Sequence, residues 1–539
     1  MTMVEILPLL TSFSPGESVG IEIRGLEGSA ELSVWHLGEC LTRQVIRESG
    51  TTSVGPLPEG GYGVELKGEF GTTRTAVEVT ADSRSRLRYG FVTDYSPGRN
   101  LSGFSDNIRR LHLSGIQFYD WAYRHADLLG GGENYQDALD QPISMESVRR
   151  LIETVKKAGS SALGYAAVYA VGPREWEKWK GRALLTATGE PYGLGDFLFL
   201  LDPASEDWLQ HFTEELSNAT QKLNFDGFHL DQYGYPKMAV RADGELIDLS
   251  HSFDTLINAA RAALPGSHLV FNNVNDFPTW ATAKTPQDAI YIEVWPPQTT
   301  LNSLADVVSN AKAISGRKPV VIAAYQHVYD TAPVISSDLA TSFTMATLFS
   351  HGATQILAGE ADRILVDPYY VRNHKIESST ADLLKRWYDF LVEHDELLLN
   401  PNIVDVTNSY AGTYNGDCDV TYASVEVTES AEPESVWRRI TSDGSQTIVH
   451  LINLLGQENV EWDSERNSPG ATGDGVLRAR CLKGLMPRVR VADPDSEPKL
   501  IEIPFTVDGD FLKATLPPIR IWQMVVIDFS PIQKAKPID

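Results

Sequence analysis

From residue 86 to about residue 400 the sequence alternates short apolar runs with longer amphipathic stretches. Eight runs stand out, at residues 88–94, 116–121, 162–168, 227–231, 269–273, 289–294, 320–325 and 355–357. Runs of this length, bounded by glycine and polar residues, read as buried parallel strands. Between them Val148, Leu151, Ile152 and Val155 fall at i, i+3, i+4 and i+7, with Ser144 placed as an N-cap. Leu384, Trp387, Tyr388 and Leu391 repeat that spacing. Eight strand–helix units over roughly 300 residues predict a (β/α)8 TIM barrel. A doubly wound sheet is the alternative, weakened by the lack of a glycine-rich nucleotide fingerprint.

Both flanks change period. Residues 1–85 alternate apolar and polar positions in short runs, at 19–23, 30–34, 63–66 and 75–79, punctuated by Pro15-Gly16, Pro56, Pro58 and Gly60-Gly61. This reads as a small immunoglobulin-like β-sandwich. Residues 401–539 return to short strands, expected at 421–427, 446–453, 500–505, 511–516 and 523–527, with turn signals at Asn415-Gly416, Asp443-Gly444 and Asp508-Gly509. The expected order is therefore a sandwich (1–85), a catalytic barrel (86–400) and a C-terminal antiparallel β-sandwich (401–539). A chain of 539 residues is too long for one compact core and fits this division.

Composition removes several classes of function. A net charge of -26 argues against nucleic acid and against anionic membrane surfaces. It leaves neutral partners such as sugars open, although solubility alone accounts for many surface charges. Cys40, Cys418 and Cys481 are far apart and show neither metal nor disulfide spacing, so they read as small buried hydrophobes. His229, His327 and His351 lack ligand spacing and read as structural. Gly16-Glu-Ser-Val-Gly20 matches Gly-x-Ser-x-Gly but sits in a strand-rich segment with no helix to follow, so no nucleophile elbow is read, and no metal or cofactor is expected. There is no run of eighteen apolar residues, and residues 1–13 contain Glu5 and no basic segment. The expectation is a cytoplasmic protein, or a secreted one if the sequence is a mature form.

Chemistry in a barrel sits at the C-terminal ends of the strands. The fourth run ends on Asp231 and the sixth delivers Glu293. They are about sixty residues apart, the length of two strand–helix units. Two carboxylates aimed into one cleft are the minimum equipment for glycoside hydrolysis. The bland alternative for Asp231 is a strand-end cap. Around the pair, the strand ends offer Asp94, Asp120, Trp121, Tyr165, Gln232, Asn272, Asn273, Asn275, Trp295, Tyr325, Gln326 and Glu360. Two long loops follow the second and third strands and are expected to wall the cleft. The first holds Gly130-Gly131-Gly132; the second holds Trp176, Trp179 and Tyr192, whose equal alternative is packing on the barrel.

Three segments resemble glycoside hydrolase family 66: Ile116-Gln-Phe-Tyr-Asp-Trp-Ala-Tyr-Arg-His125, Asp226-Gly-Phe-His-Leu-Asp-Gln232 and Tyr291-Ile-Glu-Val-Trp-Pro296. That family contains endo-dextranases and cycloisomaltooligosaccharide glucanotransferases. The resemblance implies the same domain order, an α-1,6-glucan substrate and a retaining mechanism. It matches Asp231 to the nucleophile and Glu293 to the general acid/base. Asp120, Trp121, Tyr165, Gln232, Asn273, Trp295 and Tyr325 are assigned as substrate contacts by position, with packing as the alternative for each. Cyclising relatives, as the resemblance implies, carry a module inserted in the barrel. No gap between the candidate strands is long enough for one. The expectation is thus endo-hydrolysis, with transglycosylation and non-catalytic sugar binding as alternatives.

Overall fold

The computed structural model describes residues 4–195, 197–316, 318–412 and 415–531. Eight parallel strands form its centre: β1 (Tyr89–Val92), β2 (Gly115–Phe118), β3 (Ser161–Ala167), β4 (Gly227–Asp231), β5 (His268–Asn272), β6 (Ala289–Glu293), β7 (Val320–Ala323) and β8 (Thr354–Gln355). They pair in unbroken sequence order from β1 to β8. That order belongs to a barrel; a doubly wound sheet reverses direction part-way. Each strand overlaps the run expected for it.

Seven long helices pack around the ring: α1 (Ser102–Arg110), α2 (Met145–Lys157), α3 (Glu206–Leu223), α4 (Leu249–Ala263), α5 (Leu301–Ser315), α6 (Val334–Ser350) and α7 (Ser378–Glu393). One follows each strand except β5, where the single turn Thr279–Thr282 makes the crossover. The helical spacing seen in the sequence marks the buried faces: Val148, Leu151, Ile152 and Val155 in α2, and Leu384, Trp387, Tyr388 and Leu391 in α7. Ser144 occupies the N-cap position of α2, but its side chain makes no capping bond.

Among the described residues no ladder joins β8 to β1. Side chains and one glycine close that seam instead. The Thr354 hydroxyl donates to the Leu87 carbonyl at 2.7 Å. A side chain at Gly359 would put its Cβ 2.3 Å from the backbone of Phe91, so only glycine lets the two segments meet. Glu360 then accepts the N–H of Thr93 at 2.7 Å and of Asp94 at 3.2 Å, and pairs with Arg99. The sequence put Glu360 on the cleft rim; it clamps the barrel shut.

The N-terminal residues form two facing antiparallel sheets. One holds Glu5–Pro8, Val19–Arg24 and Gly50–Val54; the other holds Ala30–His36, Glu39–Ile46, Gly60–Gly68 and Gly71–Val79. Val19, Ile21, Val34, Val64, Leu66 and Val79 fill the space between them. The C-terminal residues form a second sandwich, of seven and four strands. Two strands expected there are each a pair. Residues 421–427 divide into Cys418–Tyr422 and Glu426–Thr428, and residues 500–505 into the ends of Glu497–Glu502 and Phe505–Asp508, because in both places the chain crosses from one sheet to the other. Three further strands, Ser435–Ser442, Gly475–Arg480 and Leu485–Asp493, each carry two arginines, and buried Arg438 and Arg490 mask the period of the first and the third. Arg438 pairs with Asp419 and Arg490 with Asp528. One pairing, Glu426–Thr428 with Ser435–Ser442, is parallel.

The N-terminal sandwich is fused to the C-terminal end of α7. A Cβ at Gly61 would lie 2.1 Å from the Val392 carbonyl, so the strand backbone rests directly on the helix. Charges are buried at this joint. Arg88 pairs with Glu78 at 2.7 Å, both side chains fully enclosed, and its Nε donates to the His112 carbonyl at 2.6 Å. Arg74 reaches Glu393 at 2.6 Å, and Arg86 pairs with Asp395. Removing one partner of a buried pair strands the other charge. Arg88→Met is therefore expected to lower unfolding stability by about 3–5 kcal/mol, read as a lowered urea midpoint. Arg43→Met, at the exposed Arg43–Glu31 pair, is the control and should leave the midpoint in place.

Candidate active site

Successive side chains on a strand point to opposite faces, so residues two apart share one. In β4 that puts His229 and Asp231 inside the ring, and in β6 Tyr291 and Glu293. Tyr119 follows β2, Tyr165 lies on β3, Asn272 ends β5 and Tyr325 follows β7. All of them line one cavity of about 260 Å³ at the C-terminal mouth of the barrel. At the opposite, N-terminal end of these strands Gly227 lets β4 and β5 close up, since a Cβ there would sit 1.8 Å from the His268 carbonyl.

Asp231 and Glu293 share a single amide. Asn272 Nδ2 donates to Asp231 Oδ1 at 2.7 Å and to Glu293 Oε2 at 3.1 Å. Each carboxylate has a second donor of its own. The Tyr165 hydroxyl donates to Asp231 Oδ2 at 2.7 Å, and the Tyr325 hydroxyl to Glu293 Oε1 at 2.9 Å. Burial raises the pKa of both acids, Glu293 to about 7. The Asp231 charge adds to the rise at Glu293, while the Asn272 and Tyr325 bonds oppose it. At Asp231 the bonds from Asn272 and Tyr165 oppose the effect of burial. The pair therefore favours a state with one proton, held on Glu293.

Aromatic rings make the rest of the wall. Tyr370, from the turn after β8, stacks on Tyr119 with ring centroids 4.4 Å apart, and its hydroxyl lies 2.8 Å from that of Tyr291. His229 is 3.3 Å from the Tyr89 hydroxyl, and burial lowers its pKa to about 3, so it is neutral. Trp295 stands at the mouth, 38% exposed, edge-on to Tyr325. Among the described residues no three His, Cys, Asp or Glu side chains are grouped to hold a metal ion.

The structure brings together Asp231, Glu293, Tyr165, Gln232, Trp295 and Tyr325 of the residues singled out in the sequence. Gln232 is buried, and its amide is taken up by the carbonyls of Asn272 and Phe277 and the N–H of Gly234. It shapes the floor. Asp120 is half-buried beside the cavity in left-handed backbone, φ 45°. Loss of solvent, then the charges of Asp137 and Asp231, push its pKa well up. Asn273 and Trp121 are not in the cavity. Asn273 faces the opposite side of β5, where it bonds Thr282 and the Tyr291 carbonyl. Trp121 is wholly buried behind the sheet against Phe225, its indole N–H on the Tyr165 carbonyl. The two long loops wall little of the cavity. Trp179 packs on Trp208, Trp176 packs on Phe199, and among the described residues of these loops only Leu194 reaches the site. Pro368, Tyr369 and Tyr370, after β8, take that place. Asn272 and Tyr370 are the residues that sequence reasoning undervalued. Strand parity identifies the first; nothing local marks the second.

The family model for glycosyl hydrolase family 66 matches residues 11–526. The chain belongs to that family. It is 22% identical to a cycloisomaltooligosaccharide glucanotransferase from Niallia circulans, over 89% of this chain and 65% of that protein. It is 22% identical to a dextranase from Streptococcus salivarius, over 84% of this chain and 65% of that protein. The chain thus spans 65% of the length of these relatives. Both alignments, over 642 and 542 residues, run longer than the 539 residues of this chain. The crystal structure of a Paenibacillus sp. cycloisomaltooligosaccharide glucanotransferase complexed with cycloisomaltoheptaose superposes with a TM-score of 0.87 at 19% identity, covering 97% of this chain and all of that one. No helix among the described residues is long and apolar enough to cross a membrane.

Asn272 donates to both acids and so favours their charged forms. Asn272→Ala is expected to raise both carboxyl pKa values. Carbon NMR of side-chain-labelled Asp and Glu, titrated in wild type and variant, measures this; unchanged titrations would show the bridge to be inert.

Proposed function

We propose that this protein is a retaining glycoside hydrolase that cleaves α-1,6-glucosidic linkages within dextran or isomaltooligosaccharides, with residues 86–400 as its catalytic domain. The observation that carries the reading is the shared Asn272 amide. Bonded at 2.7 and 3.1 Å to the two carboxylates, it keeps their facing oxygens within about 6 Å, which supports the close pairing of a retaining enzyme. Glu293 gives its proton to the glycosidic oxygen as the bond to the anomeric carbon breaks. Asp231, ionised, attacks that carbon and forms a glycosyl ester. Glu293, now charged, takes a proton from water, which displaces Asp231 and restores the start. Tyr165 and Tyr325 hold the two acids in line, and Trp295 offers a face for a sugar ring. Asp120 holds sugar hydroxyls from beside the cavity.

The glucanotransferase relative supports a second reading, in which a sugar hydroxyl replaces water as acceptor. Hydrolysis is favoured because no stretch between the barrel strands β1 to β8 is long enough to hold an inserted module. A distant chain end then lacks the second anchor that raises its local concentration. High-molecular-weight dextran is expected to lose viscosity early and to release linear isomaltooligosaccharides as the α-anomer. A β-anomer at early times, seen by proton NMR, removes the retaining assignment. Abundant cyclic products move the protein to the transferase reading.

The same roles fix the pH profile. Activity needs Asp231 ionised and Glu293 protonated, so kcat/KM should fall below about pH 6 as Asp231 gains a proton and above about pH 7 as Glu293 loses its own. Glu293→Gln is expected to lose the alkaline limb together with about 10²–10⁴-fold in rate. An alkaline limb that survives this substitution belongs to another group.

A further inference from the structure

A second cavity, of about 380 Å³, lies against the first and shares Trp295, Tyr325 and Pro368 with it. Its far wall comes from the C-terminal sandwich, at Glu461, Trp462 and Asp463. That loop is strapped across the barrel. Asp463 Oδ1 accepts the N–H of Val328 at 2.8 Å, the Trp462 indole N–H donates to the Gln298 carbonyl at 2.8 Å, and the N–H of Leu301 donates to the Val460 carbonyl at 2.8 Å. Arg466 binds the carbonyls of Asn459 and Glu461 from behind. The backbone is thereby fixed while the Glu461 side chain stays exposed, with no ion-pair partner among the described residues. Across the gap His327 is also largely exposed.

We propose that this cavity is a glucosyl-binding subsite, so that the C-terminal domain takes part in holding the substrate chain. The inference rests on the functional reading above. The occupant follows from continuity: a glucan bound across Asp231 and Glu293 passes the exposed edge of Trp295, and the space on its other side is this cavity. The lining suits a sugar. Trp295, Pro296 and Val366 give apolar faces for the ring, and Glu461 and Asp367 give acceptors for hydroxyls. A neutral chain meets no charge penalty there, whereas an anionic ligand does.

The test compares isomaltotriose with isomaltoheptaose on the full chain. Only the longer substrate spans both cavities. In Glu461→Ala, and in His327→Trp, which fills the gap from the barrel side, the ratio of kcat/KM for isomaltoheptaose to that for isomaltotriose is expected to fall about tenfold. Both positions are exposed, and circular dichroism confirms the fold of each variant. If wild type hydrolyses both sugars and the ratio holds in both variants, the subsite is overturned. If wild type hydrolyses neither, the functional reading fails and takes this inference with it.

Discussion

Everything at the active site depends on the parity of a closed parallel ring. A strand in such a ring sends alternate side chains into the barrel and out toward the helices. Register then fixes the height at which neighbours meet. Tyr165 lies level with His229, and Asn272 with Tyr291. Glu293, two residues on, stands one layer higher, level with Ala323. A slip of one residue would exchange the acids for Leu230 and Ile292 and bury carboxylates among the helices. Asn272 reaches both acids because β5 lies between β4 and β6. No loop could hold that amide with comparable rigidity.

The lining of the cavity has an electrostatic effect of its own. Tyr119, Tyr165, Tyr291 and Tyr325 all have pKa values pushed well above normal by burial, so they remain neutral hydroxyls. They supply donors without supplying charge. A site built this way excludes solvent and makes ionisation costly, which holds a proton on one acid near neutrality. Arginine in place of these rings would have stabilised two carboxylates and left no acid.

The sequence made the barrel legible because each strand is apolar on both faces and the two periods, two and 3.6, do not mix. It made Asp231 and Glu293 legible because each ends an apolar strand and the two lie about two strand–helix units apart. Asn273 was assigned ahead of Asn272 because the fifth run was read as ending at 273, and one residue changes the face. Trp121 looked like a rim residue because it ends the second apolar run, where alternation from Tyr119 would turn it into the barrel. The left-handed turn at Asp120 breaks that alternation. Tyr370 was invisible for another reason. It arrives from a turn with no strand to give it an address, and only the closed barrel brings it onto Tyr119. In the C-terminal sandwich, arginines within strands hid the alternation, since their stems can lie along a sheet while their heads reach carboxylates.

The joint at the end of α7 has a consequence for how the molecule is made. Arg74 finds Glu393 only 319 residues further along the chain. At ribosomal speeds of about 5–20 residues per second, the first sandwich emerges roughly 15–60 s before its partner exists. For that interval its joint surface carries charge in water, where charge is cheap and Arg74 already has Glu65 of the same sheet beside it. An apolar surface of the same extent would be an invitation to aggregate. A polar joint lets the nascent domain wait and then locks when the last helix of the barrel arrives.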